Sequence, residues 1–160
     1  MAIEGENIGG NVIIDWNNTY EFLAQHAAEN ALNKEDYLSK VLEPIDRVKK
    51  NIDIITAKLN ELDGDILTEE EFLKNTEPIR KQTEALCAEL LEVSLAPFEC
   101  ADFDHKCECF VMSVDNALLP YSDRGKGTWD SASGLRNALD QCSYAQEHFT
   151  EMQYELKKIR

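Results

Sequence analysis

The sequence has no apolar run of 18 residues, the length a membrane-spanning helix requires. Bases are scarce: 16 Lys and Arg stand against 31 Asp and Glu, for a formal net charge of −15. That imbalance argues against direct binding to a nucleic-acid backbone, because phosphates are contacted through Lys and Arg. Neither a Cys-x-x-Cys pair nor a G-x-S-x-G elbow is present, which removes the commonest zinc and hydrolase signatures. The first base is Lys34. A secretory leader opens with basic residues and a transit peptide is Arg-rich, so the expected compartment is the cytoplasm, of a bacterium or of an infected host. Five cysteines are an odd number, which disfavours a closed disulfide framework and predicts reduced thiols. There is no internal repeat, no low-complexity tract and no separating linker, so residues 1–160 are expected to form a single domain. A chain of that length buries about two-thirds of its unfolded surface.

What the chain does have is helical periodicity. Leu38, Val41, Ile45, Val48, Ile52, Ile55, Leu59 and Leu62 alternate spacings of three and four, the seam of a heptad-patterned helix. Pro44 interrupts the amide pattern without shifting the seam, which predicts one kinked helix. Gly64 is the expected stop. Thr68 to Glu71 is a capping box that opens the next helix. Its seam is Phe72, Thr76, Ile79, Thr83, Leu86, Leu90 and Val93, with a bend at Pro78 and an end at Pro97. Phe103, Cys107, Phe110, Val114 and Ala117 predict a shorter helix over about 104–119, closed by Pro120. Leu135, Ala138, Cys142, Ala145, Phe149, Met152, Leu156 and Ile159 mark a final helix from about 131. A further helix is expected over about 18–32, preceded by an extended segment within 1–14. The predicted fold is all-α: an antiparallel bundle of four to five helices, three of them long and heptad-patterned, with a short non-helical N-terminal segment and a bundle-end loop at 121–134.

Charge is unevenly distributed along this scaffold. Residues 1–33 hold five acids and no base; 65–94 are net −5 and 95–120 net −4, whereas 34–64 are net −1 and 121–160 balance. The ordinary account is a solvated acidic surface. The sharper account is an acidic surface that steers onto a basic partner.

Three stretches could carry chemistry. Cys100, Asp102, Asp104, His105, Cys107 and Cys109 are all metal-competent. On a helix, however, Cys107 and Cys109 diverge by about 200°, and Cys107 falls on the apolar seam. Asp102 and His105 make one carboxylate-x-x-His pair, where a di-metal carboxylate bundle needs two. Arg124-Gly125-Lys126-Gly127-Thr128 has the residues of a phosphate loop in the wrong order and without a preceding strand. No catalytic residue, metal or cofactor is therefore assigned. The 121–134 loop also carries Tyr121, Arg124 and Trp129, types enriched at interface hot spots; alternatively Trp129 closes the open end of the bundle and Asp130 or Ser131 caps the last helix.

The functional expectation is a non-enzymatic acidic protein-binding module, an inhibitor or immunity-type protein such as a phage anti-defence protein or nucleic-acid mimic, with a basic protein partner. Its expected contact residues are Glu69, Glu70, Glu71, Glu77, Asp102, Asp104, Arg124, Lys126 and Trp129. The alternatives are a structural homo-oligomer or assembly subunit, and a small metal- or thiol-dependent protein centred on Cys100–Cys109.

Overall fold

A computed structural model describes residues 6–8, 11–13, 34–93 and 101–159. Two three-residue strands, β1 (Glu6–Ile8) and β2 (Asn11–Ile13), pair antiparallel with Glu6 opposite Ile13. Every other regular element among the described residues is helical. Among the described residues there are four α-helices, α1 (Lys34–Asp63), α2 (Glu69–Glu92), α3 (Ala101–Leu118) and α4 (Ser131–Ile159), with a single 3₁₀ turn at Leu119–Tyr121. The helix expected over 18–32 lies outside the described residues, as do Trp16, Pro97 and Cys100.

α1 is the longest, about 45 Å at 1.5 Å per residue. Val41, Ile45, Val48, Ile52, Ile55 and Leu59 are buried at alternating spacings of four and three, with Leu38 and Leu62 half-buried at its ends. The helix runs unbroken through Pro44, which leaves the Lys40 carbonyl without its usual donor. It ends at Asp63, immediately before the expected stop at Gly64, but the turn is not closed by a left-handed glycine. Ile66 N–H reaches Glu61 O at 2.8 Å and Asp65 N–H reaches Leu62 O at 3.2 Å, the paired bonds of a Schellman turn. The left-handed residue in that turn is Asp65, at φ 59°, one position beyond Gly64. A short polar side chain tolerates that conformation better than most, though less well than glycine.

α2 opens as expected. Thr68 Oγ1 accepts from Glu71 N–H at 3.1 Å and Glu71 Oε1 accepts from Thr68 N–H at 3.3 Å. The helix passes through Pro78 and ends at Glu92, earlier than Pro97; Val93 is already extended. Its buried set corrects the expected seam. Phe72, Thr76, Thr83 and Leu86 are buried, but Arg80 is buried where the neighbouring Ile79 was expected, and Cys87 joins them. Ile79, Leu90 and Val93 are half-buried against the core. Thr76 and Thr83 each donate to the carbonyl four residues back, at 2.7 Å, so their hydroxyls are satisfied without leaving the apolar interior.

α3 begins three residues before the predicted start, at Ala101, and buries Phe103, Cys107, Phe110, Val111, Val114, Ala117 and Leu118. The bundle-end loop is shorter than 121–134, because Asp130 caps α4: its Oδ1 accepts from Ser133 N–H at 2.7 Å. The first half of α4 buries only small groups, namely Gly134, Ala138, Cys142 and Ala145.

Inter-helix bonds fix which neighbours meet. Asn51 of α1 donates to Gln82 of α2 at 2.9 Å, and Tyr37 of α1 donates to Asp104 of α3 at 2.5 Å. Between α3 and α4, Lys106 pairs with Glu151, Cys107 Sγ meets Met152 Sδ at 3.1 Å, and Asn137 donates to the Asn116 carbonyl at 3.3 Å. Phe110 and Phe149 pack at 5.5 Å between ring centroids.

The turn after α1 yields a stability prediction. Asp65→Gly removes a left-handed side-chain penalty and should raise unfolding free energy by about 1 kcal/mol. Gly64→Ala should be near neutral, since an added Cβ would meet only Asn60 O, at 3.4 Å. Urea unfolding of both variants checks the assignment; the reverse order would place the left-handed residue at 64.

Candidate functional site

The nine expected contact residues do not gather on one surface. Leu90, Leu91 and Val93 at the end of α2 share a depression of about 200 Å³ with Asp104, Cys107 and Glu108 near the start of α3. Farther along, Glu84, Cys87 and Leu91 share a second one, of about 300 Å³, with Asp115 and Arg124. The end of α2 thus meets the beginning of α3. Glu69, Glu70, Glu71 and Glu77 consequently lie toward the opposite end of this helix pair from Asp102 and Asp104.

Local chemistry separates them further. Glu71 is engaged in the capping box. Glu70 and Asp102 are exposed. Asp104 is half-buried and accepts the Tyr37 hydroxyl. Its carboxyl is pushed above the usual range, chiefly by desolvation and also by Glu108; the Tyr37 bond and His105 oppose the shift. Arg124 donates to Asp115 at 2.7 Å, which bridges the bundle-end loop to α3. The remaining four, Glu69, Glu77, Lys126 and Trp129, do converge. They line an open groove of about 500 Å³ between α2 and the loop.

Arg80 also lines that groove, and sequence reasoning missed it. Its residue is only 7% exposed. Nε donates to Thr76 Oγ1 at 2.9 Å, Nη1 to the Tyr121 carbonyl at 2.7 Å and Nη2 to the Leu73 carbonyl at 3.0 Å. The guanidinium thereby ties α2 to the turn after α3. All three acceptors are neutral, and no carboxylate among the described residues lies within ion-pairing distance. Burial lowers its pKa from the ordinary arginine value, against the opposing pull of Glu84, Glu77 and Asp123. The available signal was the pair of polar seam residues, Thr76 and Thr83, on either side of it. Beside it, Tyr121 packs on Phe72 at 4.9 Å, and its buried hydroxyl meets no hydrogen-bond partner among the described residues. Desolvation pushes that phenol up to about 12.

The loop is held by a chain of short-range bonds. Gly125 N–H reaches Ser122 O at 3.2 Å, and Thr128 N–H reaches Gly125 O at 3.1 Å. Gly125 is buried so tightly that an added Cβ would stand 1.9 Å from the Leu119 carbonyl oxygen.

The thiols are poor candidates for chemistry. Cys87, Cys107 and Cys142 are buried. Burial pushes the Cys87 thiol up to about 12 and also raises Cys142, so both are protonated at neutral pH and lack the thiolate that reacts. Cys109 is half-buried, 3.8 Å from the exposed His105 Nε2. Among the described residues, no three His, Cys, Asp or Glu side chains form a group that could hold a metal ion. None of the described helices is long and apolar enough to cross a membrane. No family model, no curated protein and no solved structure matches this chain.

Two substitutions test this geometry. Gly125→Ala should cost about 2–3 kcal/mol, the upper range for forcing a methyl into packed space, measured by urea unfolding. Asp104→Asn should raise the melting temperature at pH 7. A raised folded-state pKa stabilises only while the group is protonated, and that contribution is lost as pH rises through the folded pKa. The advantage of Asn should therefore shrink as pH falls through the carboxylate range. A pH-independent difference would mean that Asp104 is not desolvated.

Proposed function

We propose that this chain is a non-enzymatic acidic protein-binding module of the inhibitor or immunity type, which docks on a basic surface of a partner protein in the cytoplasm. The scaffold of this reading is an antiparallel bundle with heptad-like seams. The contacts of 106 with 151 and 116 with 137, and of 51 with 82 across the short turn at 64–68, support antiparallel neighbours.

One observation carries the functional reading. The two net-acidic helical segments pack side by side, and an exposed leucine stands on their shared surface. Leu91 is 53% exposed and lines both α2–α3 depressions, whose rims hold Glu84, Asp104, Glu108 and Asp115, the last of them paired with Arg124. Adjacent acidic helices concentrate potential on one side of the molecule, which accelerates encounter with a basic surface. A half-exposed leucine among them supplies the desolvated contact that slows dissociation.

The test is affinity capture on the tagged full chain at low and high salt, followed by kinetics with the partner recovered. Glu84→Gln with Glu108→Gln should slow association about tenfold and flatten its salt dependence. Leu91→Ala should mainly speed dissociation. Capture of the bait alone, with a mass that doubles as concentration rises, would favour the homo-oligomer instead.

A further inference from the structure

The groove between α2 and the bundle-end loop differs in character from the acidic α2–α3 surface. Its floor holds Arg80, a buried cation bonded only to neutral oxygens. Two of its five N–H groups are left over from those three bonds. Buried charges are ordinarily matched by an opposite charge, because an uncompensated one retains a large desolvation cost. Lys74 and Lys126 line the same groove, and neither pairs with a carboxylate among the described residues. Lys81 is engaged by Glu77 at 3.9 Å, and Glu69 accepts the Ser131 hydroxyl at 2.9 Å. Arg80, Lys74 and Lys126, none of them within ion-pairing distance of a described carboxylate, therefore share one concavity with the Glu77–Lys81 pair and with Glu69 and Asp123, and its cations outnumber its carboxylates by four to three in a protein of net charge −15. Trp129 forms one side; its indole is 39% exposed and stacks on no other aromatic ring among the described residues. The groove's volume of about 500 Å³ falls in the range typical of small-molecule sites.

We propose that this groove binds a small organic phosphate, with its phosphoryl groups on Arg80, Lys74 and Lys126 and its planar ring on Trp129. A carboxylate has two oxygens to offer, whereas a phosphoryl group presents three and can accept from Arg80, Lys74 and Lys126 together. Guanidinium groups recognise phosphoryl oxygens through paired N–H donors, and ammonium groups act on them as point charges. An aromatic face receives a heterocyclic base irrespective of its identity. Glu69, Glu77 and Asp123, also lining the groove, are the carboxylates that oppose such a ligand; of these, Asp123 is the one engaged neither by Ser131 nor by Lys81.

Isothermal titration calorimetry of the full chain with inorganic pyrophosphate and with adenosine triphosphate tests the site. Both probes should bind saturably, the nucleotide more tightly. Lys126→Ala should weaken both about tenfold, the loss of one charge-assisted contact. Asp123→Asn should strengthen both, which a purely structural role for the groove would not produce. Trp129→Leu should reduce nucleotide affinity and leave pyrophosphate unchanged. Arg80→Lys, checked for fold by circular dichroism, should weaken both probes while keeping the charge. Absence of saturable heat with either probe would overturn the proposal. So would affinities insensitive to both Lys126→Ala and Asp123→Asn, or equal affinity for the two probes that Trp129→Leu does not alter. None of these results bears on the α2–α3 surface, whose variants lie on other residues.

Discussion

The structure depends on the burial of one face of α1. Val48, Ile52 and Leu59 have no exposed surface, and Val41, Ile45 and Ile55 have almost none. The same helix contacts each of the other three: Asn51 bonds Gln82 of α2, Tyr37 bonds Asp104 of α3, and Lys49 stands 5.2 Å from the Phe149 ring centroid of α4. A helix this long cannot hide such a stripe alone, so its partners are arranged around it. The small residues at the start of α4 belong to the same packing arrangement. Gly134 leaves room for the Leu119–Tyr121 turn and the loop behind it, since an added Cβ would stand 3.1 Å from Pro120 and 3.4 Å from Trp129.

Several polar groups inside this framework are bonded, although the buried Tyr121 hydroxyl meets no partner among the described residues. Thr56, Thr76 and Thr83 return their hydroxyls to their own helix. Arg80 uses three donors to join α2 to the turn at Tyr121, and Arg124 ties the following loop back to Asp115. The loop is therefore a rigid end-piece, with Gly125 seated against the Leu119 carbonyl. Rigidity of this kind suits a binding surface, because little ordering entropy remains to be lost on association.

Electrostatics divides the molecule into two regions. Along α2 and α3, carboxylates outnumber bases and flank the exposed Leu91. At the bundle end, cations and carboxylates are nearly balanced: Lys74, Arg80, Lys81 and Lys126 share the groove beside Trp129 with Glu69, Glu77 and Asp123. Ion pairs elsewhere are mostly local and exposed, such as Glu43 with Arg47 and Asp46 with Lys50 on α1. Exposed pairs of that sort contribute little to stability, so the net charge is better understood through association than through folding.

Much of the helical framework was legible because its signals are local. A capping box, a proline after a helix and a period near 3.6 act over a few residues, and Thr68, Glu71, Pro120 and the α1 seam could be read directly. The candidate surface was less legible. Nine residues chosen by charge and type separate toward two ends of the α2–α3 pair, because whether acids share a face depends on helix order. Glu71 and Asp104 looked like free carboxylates; one caps a helix and the other takes a tyrosine proton bond from α1. The exchange of Ile79 for Arg80 has the same origin: the turn at Tyr121 supplies a carbonyl that accepts the guanidinium, from 41 positions away. Sequence alone determined where the described helices fall and where the apolar stripe of α1 runs, since those follow from neighbours in the chain. Only the tertiary structure decided which charges are buried, which are paired and which meet across a groove, since those depend on atoms that the chain order keeps far apart.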